Sequence, residues 1–274
     1  MDRRAFLAAA AAMAVNPGAA WANLDMTAIS AEATGTARSP RDKVEAVIQW
    51  THDHLDWTAT DYVTRTPEQI VERGGGNCND QALVVRALLT PAGVRTRRTR
   101  EVNIQPLSPS REENSERLMA SRGLMASVFG LRHNDHVWIE FEDVVADEWR
   151  PADPTINLLD FEQWTTARMG FGARPRHEII PFADMEFPIG IVALHEDGRF
   201  ENRSHRYLVQ SFGRYVNGAA ASPQWRHWVD RVQVSGRHVK RAFENHYDLH
   251  QDKPLMDDLI ATYEGMKTWA LAHV

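Results

Sequence analysis

A single cysteine among 274 residues excludes an intramolecular disulfide. With one cysteine and no H-E-x-x-H motif, the histidines that could suggest a metal, His52 and His54 with His133 and His136, do not make a zinc enzyme. No metal or other cofactor is expected. Long apolar runs are also missing, so nothing beyond the extreme N-terminus could cross a membrane. Basic charge is not in excess. A formal net charge of −6 argues against nucleic acid as the main partner. No internal repeat is visible. The remaining composition, 43% hydrophobic and 25% charged, is ordinary for a soluble globular chain with ample length for a core.

The lone cysteine stands in Gly74-Gly75-Gly76-Asn77-Cys78-Asn79-Asp80, directly before the apolar run Gln81-Ala82-Leu83-Val84-Val85-Arg86-Ala87-Leu88-Leu89. Three glycines allow a tight approach free of side chains, and the run predicts a helix buried on most sides. Cys78 then sits at a helix N-terminus, where free N–H groups and the macrodipole favour a thiolate nucleophile. Free cysteine is more often a small buried hydrophobe. Such residues seldom follow three glycines and precede two polar side chains.

The first residues read as an export signal rather than as fold. Asp2-Arg3-Arg4-Ala5-Phe6-Leu7 leads into an alanine-rich run from Ala8 to Val15, and Ala20-Trp21-Ala22 gives an A-x-A end. Residues 1–22 are therefore expected to be a signal peptide, cleaved before Asn23, and the arginine pair resembles a twin-arginine signal. The competing reading is an amphipathic N-terminal helix. Export would make the protein periplasmic or secreted, with no stable membrane insertion after cleavage. A lone cysteine in an oxidising compartment suits chemistry better than structure.

Residues 23–40 are rich in Ala, Thr and Ser and read as a flexible lead-in. A helix is predicted from Arg41 to Leu55, and a capped one over Thr66-Pro67-Glu68-Gln69-Ile70-Val71-Glu72-Arg73, with Thr66 as N-cap and Pro67 at N1. The cysteine helix should end near Thr90, before Pro91. A strand follows over Val94–Ile104. Its Arg95, Arg97, Arg98 and Arg100 form either a basic patch that reads acidic substrates or a solvated strand face, the commoner case. Residues 105–134 are an insertion that is either an active-site lid, the preferred reading, or an inert decoration, with a helix through Leu118, Met119, Leu124 and Met125. In His136-Val137-Trp138-Ile139-Glu140-Phe141-Glu142, alternation puts Val137, Ile139 and Phe141 on the core face and His136, Trp138 and Glu140 on the other. Glu148 to Thr155 is a second short strand ending at Pro154. Glu178–Leu194 and Arg206–Val216 look like strands, and 223–274 looks helical, with Trp225, Trp228 and Trp269 more in keeping with core than with a sugar-stacking platform.

A cysteine nucleophile needs a base, and the base needs a group that fixes its tautomer. His136 is the best-placed base and Asp153 the best orienter, with His133 a rival base out of register with the strand. In the order Cys, His, Asp the three make a hypothesis. At this point the chain resembles the transglutaminase-like superfamily with its papain-like triad. The resemblance rests on Gly75-Gly76-Asn77-Cys78, His136-Val137-Trp138-Ile139-Glu140 and Trp149-Arg150-Pro151-Ala152-Asp153-Pro154-Thr155, in that order. The helix ending Trp50-Thr51-His52-Asp53-His54-Leu55-Asp56-Trp57 adds to it. Asn79 and Pro91 depart from the usual pattern without touching the triad.

The resemblance implies an α+β fold: a papain/transglutaminase-like core over 41–165, with the Cys78 helix packed on an antiparallel sheet. Residues 166–274 would be a strand and helix extension of the same globule. It further implies that Cys78 attacks an amide carbonyl to give a thioester, that His136 shuttles the proton and that Asp153 orients His136. The oxyanion would be held by the Cys78 backbone N–H and a second donor, for which Trp50, Trp57 and Asn77 are candidates. The expected activity is cysteine-dependent acyl transfer on a peptide or protein amide, resolved by water as in a peptidase or amidase, with envelope peptides as substrate. The alternatives are amine transfer by a true transglutaminase and a non-catalytic envelope protein that binds peptide or glycan.

Overall fold

The computed structural model describes residues 24–58, 63–104, 133–172, 188–244 and 249–274. The expected signal peptide, most of the 105–134 insertion and the first part of the expected 178–194 strand lie outside the described residues.

Local signals account for the helices of the first half. Ser39 caps α2 (Pro40–His54) in a reciprocal box with Asp42, with Pro40 at its first position. Thr66 and Gln69 form the same box at α3 (Pro67–Arg73), and Gly74 ends that helix in the left-handed region at φ 72°. The stretch 23–40, expected to be a loose lead-in, instead carries α1 (Met26–Thr34), capped by Asp25. Its Ser30 is buried and donates to the Leu88 carbonyl at 2.6 Å. That bond ties α1 to α4 (Cys78–Leu89), the helix that opens on the cysteine.

The sheet has six strands in the order β6-β5-β4-β3-β7-β8, every neighbouring pair antiparallel. These are β3 (Thr96–Ile104), β4 (His133–Asp143), β5 (Glu148–Asp153), β6 (Leu158–Leu159), β7 (Pro188–Leu194) and β8 (Phe200–Asn202). A two-stranded parallel pair, β1 (Asp56–Trp57) with β2 (Gly75–Gly76), stands apart beside the cysteine loop. Thus β7 and β8, from the C-terminal part of the chain, extend the same sheet that carries His136.

Burial corrects the one-sided reading of β4. Val137, Ile139 and Phe141 do pack on α2 and α4, in one core with Val44, Val47, Val85 and Leu88. The opposite face is equally dry: Trp138 packs with Trp164 and Tyr207 in a second, larger core. The second core is supplied by α5 (Asp160–Met169), a π-helical turn (Arg206–Ser211) running into α6 (Phe212–Tyr215), α7 (Trp225–Phe243) and α8 (Lys253–His273). Of residues 206–216, expected as a strand, 206–215 are therefore helical. Their fully buried positions, Tyr207, Leu208, Ser211 and Phe212, recur at helical rather than alternating spacing. Trp228 is core and donates its indole N–H to the Leu208 carbonyl at 2.6 Å, while Trp225 and Trp269 pack against that core from its edge.

Nor is β3 a solvated face. Arg97 is buried and clamps the fully buried Glu140 at 2.6 Å. Arg95 alone matches the expectation, exposed and paired with Glu142 at 2.8 Å. A face covered by helices makes a buried arginine tolerable only through such pairing.

Candidate active site

The approach to Cys78 is built by glycines. Asp56 N donates to Gly74 O at 2.9 Å and Thr58 N to Gly76 O at 3.0 Å, so β1 runs alongside the loop with Trp57 opposite Gly76. A Cβ on Gly75 would lie 2.4 Å from the Asp56 carbonyl oxygen, and one on Gly76 would lie 2.4 Å from the Asp80 Cβ. Only glycine admits this packing. Asn77 then caps α4, accepting from Asn79 N at 2.9 Å and Asp80 N at 3.1 Å, while Asp80 returns a contact to Asn77 N at 3.3 Å. Cys78 is thereby the first residue of the helix, partly exposed.

His136 and Asp153 come from adjacent strands on one face of the sheet. Their side chains meet at 2.7 Å through Nε2 and Oδ2, both groups buried. Asp153 is fixed in turn, its Oδ1 accepting from Thr155 N at 3.2 Å. With Nε2 taken, Nδ1 is the nitrogen left for the thiol, and Cys78 is both a hydrogen-bond and a charge partner of His136. Burial pulls the imidazole toward its neutral form. The Asp153 charge, its hydrogen bond and the Cys78 thiol outweigh that, and hold the histidine at about 10. The three residues expected from the sequence are thus brought together.

The other expected residues separate. Trp57 stands beside Gly76 and packs on Ile156, just past Asp153. Trp50 stacks on His54 with ring centres 4.4 Å apart, its indole N–H buried without a partner. The Asn77 side-chain oxygen is committed to its own helix. The His133 side chain lies outside the described residues. Among the described residues no group of three or more His, Cys, Asp or Glu side chains is placed to hold a metal.

Behind the triad lies a layer the sequence did not disclose. Trp138 stacks on His136 with centres 5.6 Å apart and donates its N–H to the Tyr207 hydroxyl at 3.1 Å. That hydroxyl donates to Glu140 at 2.8 Å, and Arg97 and Arg203 both pair with the same carboxylate. Burial and the neighbouring Glu140 keep the Tyr207 phenol protonated, well above its ordinary range. Glu101, opposite His136 across the β3–β4 ladder, forms a buried pair with Arg168 of α5. Tyr207 and Arg203 carry no motif signal; the Trp-x-Glu spacing after His136 was their only trace.

A thiol at a helix start, an imidazole and a buried carboxylate on an antiparallel sheet define a papain-like thiol site. Residues 27–154 match the family model of the transglutaminase-like superfamily. The match begins upstream of the sequence motifs and takes in α1. No curated protein matches the chain. Among solved structures, a candidate cysteine protease from Cytophaga hutchinsonii shares 15% identity over 48% of this chain and 39% of its own, with a TM-score of 0.33. A candidate protease from Parabacteroides distasonis shares 11% over 46% and 22%, with a TM-score of 0.32. The Rad4/XPC nucleotide excision repair complex shares 11% over 82% and 48%, with a TM-score of 0.37. The chain spans less than half the length of each, and likenesses this distant carry no argument about function.

Proposed function

We propose that the protein is a cysteine-dependent hydrolase of amide bonds in a peptide, isopeptide or side-chain amide. The observation that carries this reading is the buried 2.7 Å contact of His136 with Asp153, with Cys78 as the partner of the remaining ring nitrogen. The Cys78 thiolate adds to the amide carbonyl. As the C–N bond breaks, the His136 imidazolium gives its proton to the departing amine, leaving a thioester. Water, losing a proton to His136, attacks the thioester; the C–S bond breaks, Cys78 leaves as thiolate, and the acid is released. The Cys78 backbone N–H at the start of α4 and the Trp57 indole stabilise the oxyanion. Trp57 is favoured over Trp50 and Asn77 because its backbone is paired to Gly76, beside the nucleophile.

Envelope substrates follow from the N-terminal sequence, whose arginine pair, alanine-rich run and A-x-A end read as an export signal. Mass spectrometry of the protein from its native host should find an N-terminus at Asn23; retention of Arg3-Arg4 would reject export with cleavage.

The test of the triad is alkylation of Cys78 by iodoacetamide between pH 4 and 9. Wild type should react at the acidic end and His136→Ala should not. Equal profiles would reject the pair. With substrate in hand, an added primary amine that is incorporated faster than water would make the enzyme an amine-transferring transglutaminase instead.

A further inference from the structure

Side chains that share a rung of the β3–β4 ladder can meet, as Arg97 does with Glu140 at 2.6 Å. Along the same face the next rungs are Thr99 with Trp138, and then Glu101 with His136. Directly opposed side chains start from Cβ atoms only about 4.5–5.5 Å apart. His136 therefore stands within reach of two carboxylates, Asp153 on β5 and Glu101 on β3. The imidazole bonds Asp153 at 2.7 Å, while Glu101 is claimed by Arg168.

Arg168 lies in the last turn of α5 and is 1% exposed, and Glu101 is fully buried. Burying such a pair in a dry layer is costly, and an apolar pair could have filled the same space. Arg168 makes a further contact that an arbitrary ion pair would lack. Its guanidinium lies 5.8 Å from the ring centre of Trp164, which packs on Trp138, the ring that stacks on His136. It thus touches both the second carboxylate and the layer on which the imidazole rests. Among the described residues, the charged and titratable groups facing His136 are Cys78 from α4, Asp153 from β5 and Glu101 from β3, with Arg168 of α5 behind Glu101. Beyond Trp138 on the same face come Glu140, Arg97, Arg203 and Tyr207.

We infer that Arg168 is a positioning residue for His136: by holding Glu101 it reserves the imidazole for Asp153 and Cys78. The inference rests on the thiol-triad reading and deepens it. Without Arg168, Glu101 would be a buried carboxylate deprived of that cation, with the imidazolium across the ladder as the replacement at hand. A bond from Glu101 to either ring nitrogen breaks the line from Asp153 through the ring to the thiol. The uncompensated negative charge also works against the thiolate, which then forms only at higher pH.

The test is the pH profile of Cys78 alkylation by iodoacetamide, compared between wild type, Arg168→Met and Arg168→Met/Glu101→Gln. Arg168→Met should move the profile up by about one to two pH units and slow labelling at pH 5 by roughly tenfold or more. Adding Glu101→Gln removes the competitor and should bring the rate back to within about threefold of wild type. A purely structural pair would lower the urea midpoint and leave the profile in place. A folded Arg168→Met with the wild-type profile therefore overturns the inference, as does a double variant no faster than the single one. If Arg168→Met does not fold, Arg168→Lys replaces it, since it keeps the charge but loses the planar fork. Labelling at pH 5 should then be roughly threefold slower than in wild type and recover when Glu101→Gln is added; a rate equal to wild type in Arg168→Lys overturns the inference. These outcomes leave the triad standing. A wild-type Cys78 that reacts only above the free thiol value of about 8.5 rejects the triad, and the positioning role with it.

Discussion

Trp138 donates its indole N–H to the hydroxyl of Tyr207, 69 residues further along the chain, at 3.1 Å. This bond is one of those that join the strand carrying His136 to the C-terminal half of the protein. Tyr207 passes the contact on to Glu140, and the ring of Trp138 lies against the imidazole. The C-terminal half thus braces the surface on which the histidine rests.

Tyr207→Phe removes the hydroxyl, leaves the buried Trp138 N–H without that partner and takes one bond from Glu140 Oε1, which keeps the one from Arg203. The expected loss is about 1–3 kcal/mol in urea unfolding. Iodoacetamide should still label Cys78 in the folded variant, but more slowly, because the ring beside His136 is less constrained. A variant as stable as wild type would mean that the hydroxyl bridges nothing of consequence.

The His136–Asp153 pair makes stability depend on pH with a definite sign. A histidine held at about 10 keeps its proton in the folded protein after the unfolded chain has lost it near 6.5. The contribution is complete below about 6.5 and is lost as pH rises toward about 10. Wild type should therefore lose on the order of a few kcal/mol between those limits, and His136→Ala should lose much less over the same range. Amide cleavage should persist through the same window, since the imidazolium supplies the proton to the leaving amine. Unfolding curves at several pH values that superimpose for the two proteins would refute the assignment.

How much of this was legible follows from where the signals lie. Thr66, Pro67 and Gln69 announce α3 because caps act on their own helix, and Cys78 is marked by the glycines that let β1 approach. His136 and Asp153 were readable from local pattern, because alternation and a terminal proline place a side chain on a strand. The partners in the layer behind them were not. Arg97 looked solvated because nothing local says that α5 and the π-helical turn cover its face, and its partner Glu140 lies 43 residues away. Arg203 and Tyr207, which complete the same carboxylate, sit in a segment whose short apolar run fits strand or helix until tertiary contacts decide. The lead-in misled for a related reason: Ala- and Thr-rich sequence has little moment of its own, and α1 is held by Ser30 against α4.

The oxyanion assignment separates two tryptophans. Trp57→Phe should lower kcat by about 10²–10³ with little change in stability, the loss typical of one oxyanion donor. Trp50→Phe removes an N–H that is already buried without a partner, so stability should hold or rise and kcat should stay within a few-fold of wild type. Steady-state kinetics of the two variants decide between them. The reverse pattern would move the donor to Trp50, whose unpaired N–H would then be waiting for the substrate.

The glycine run should divide in the same way. Gly74 adopts φ 72° with nothing within 4 Å of its missing Cβ, so Gly74→Asn, which tolerates the left-handed region, should fold and react almost as wild type. Gly75 is different, because its Cβ would stand 2.4 Å from the backbone oxygen of Asp56. Backbone cannot swing aside as a side chain does, so Gly75→Ala must part β1 from β2. That would move Trp57 away from Gly76 while the cap made by Asn77 and Asp80 still holds α4 in place. The expected result is a folded protein with far-UV circular dichroism like wild type, a Cys78 that is still alkylated, and amide turnover reduced at least as far as in Trp57→Phe. Full turnover in Gly75→Ala would show that β1 has no part in the chemistry.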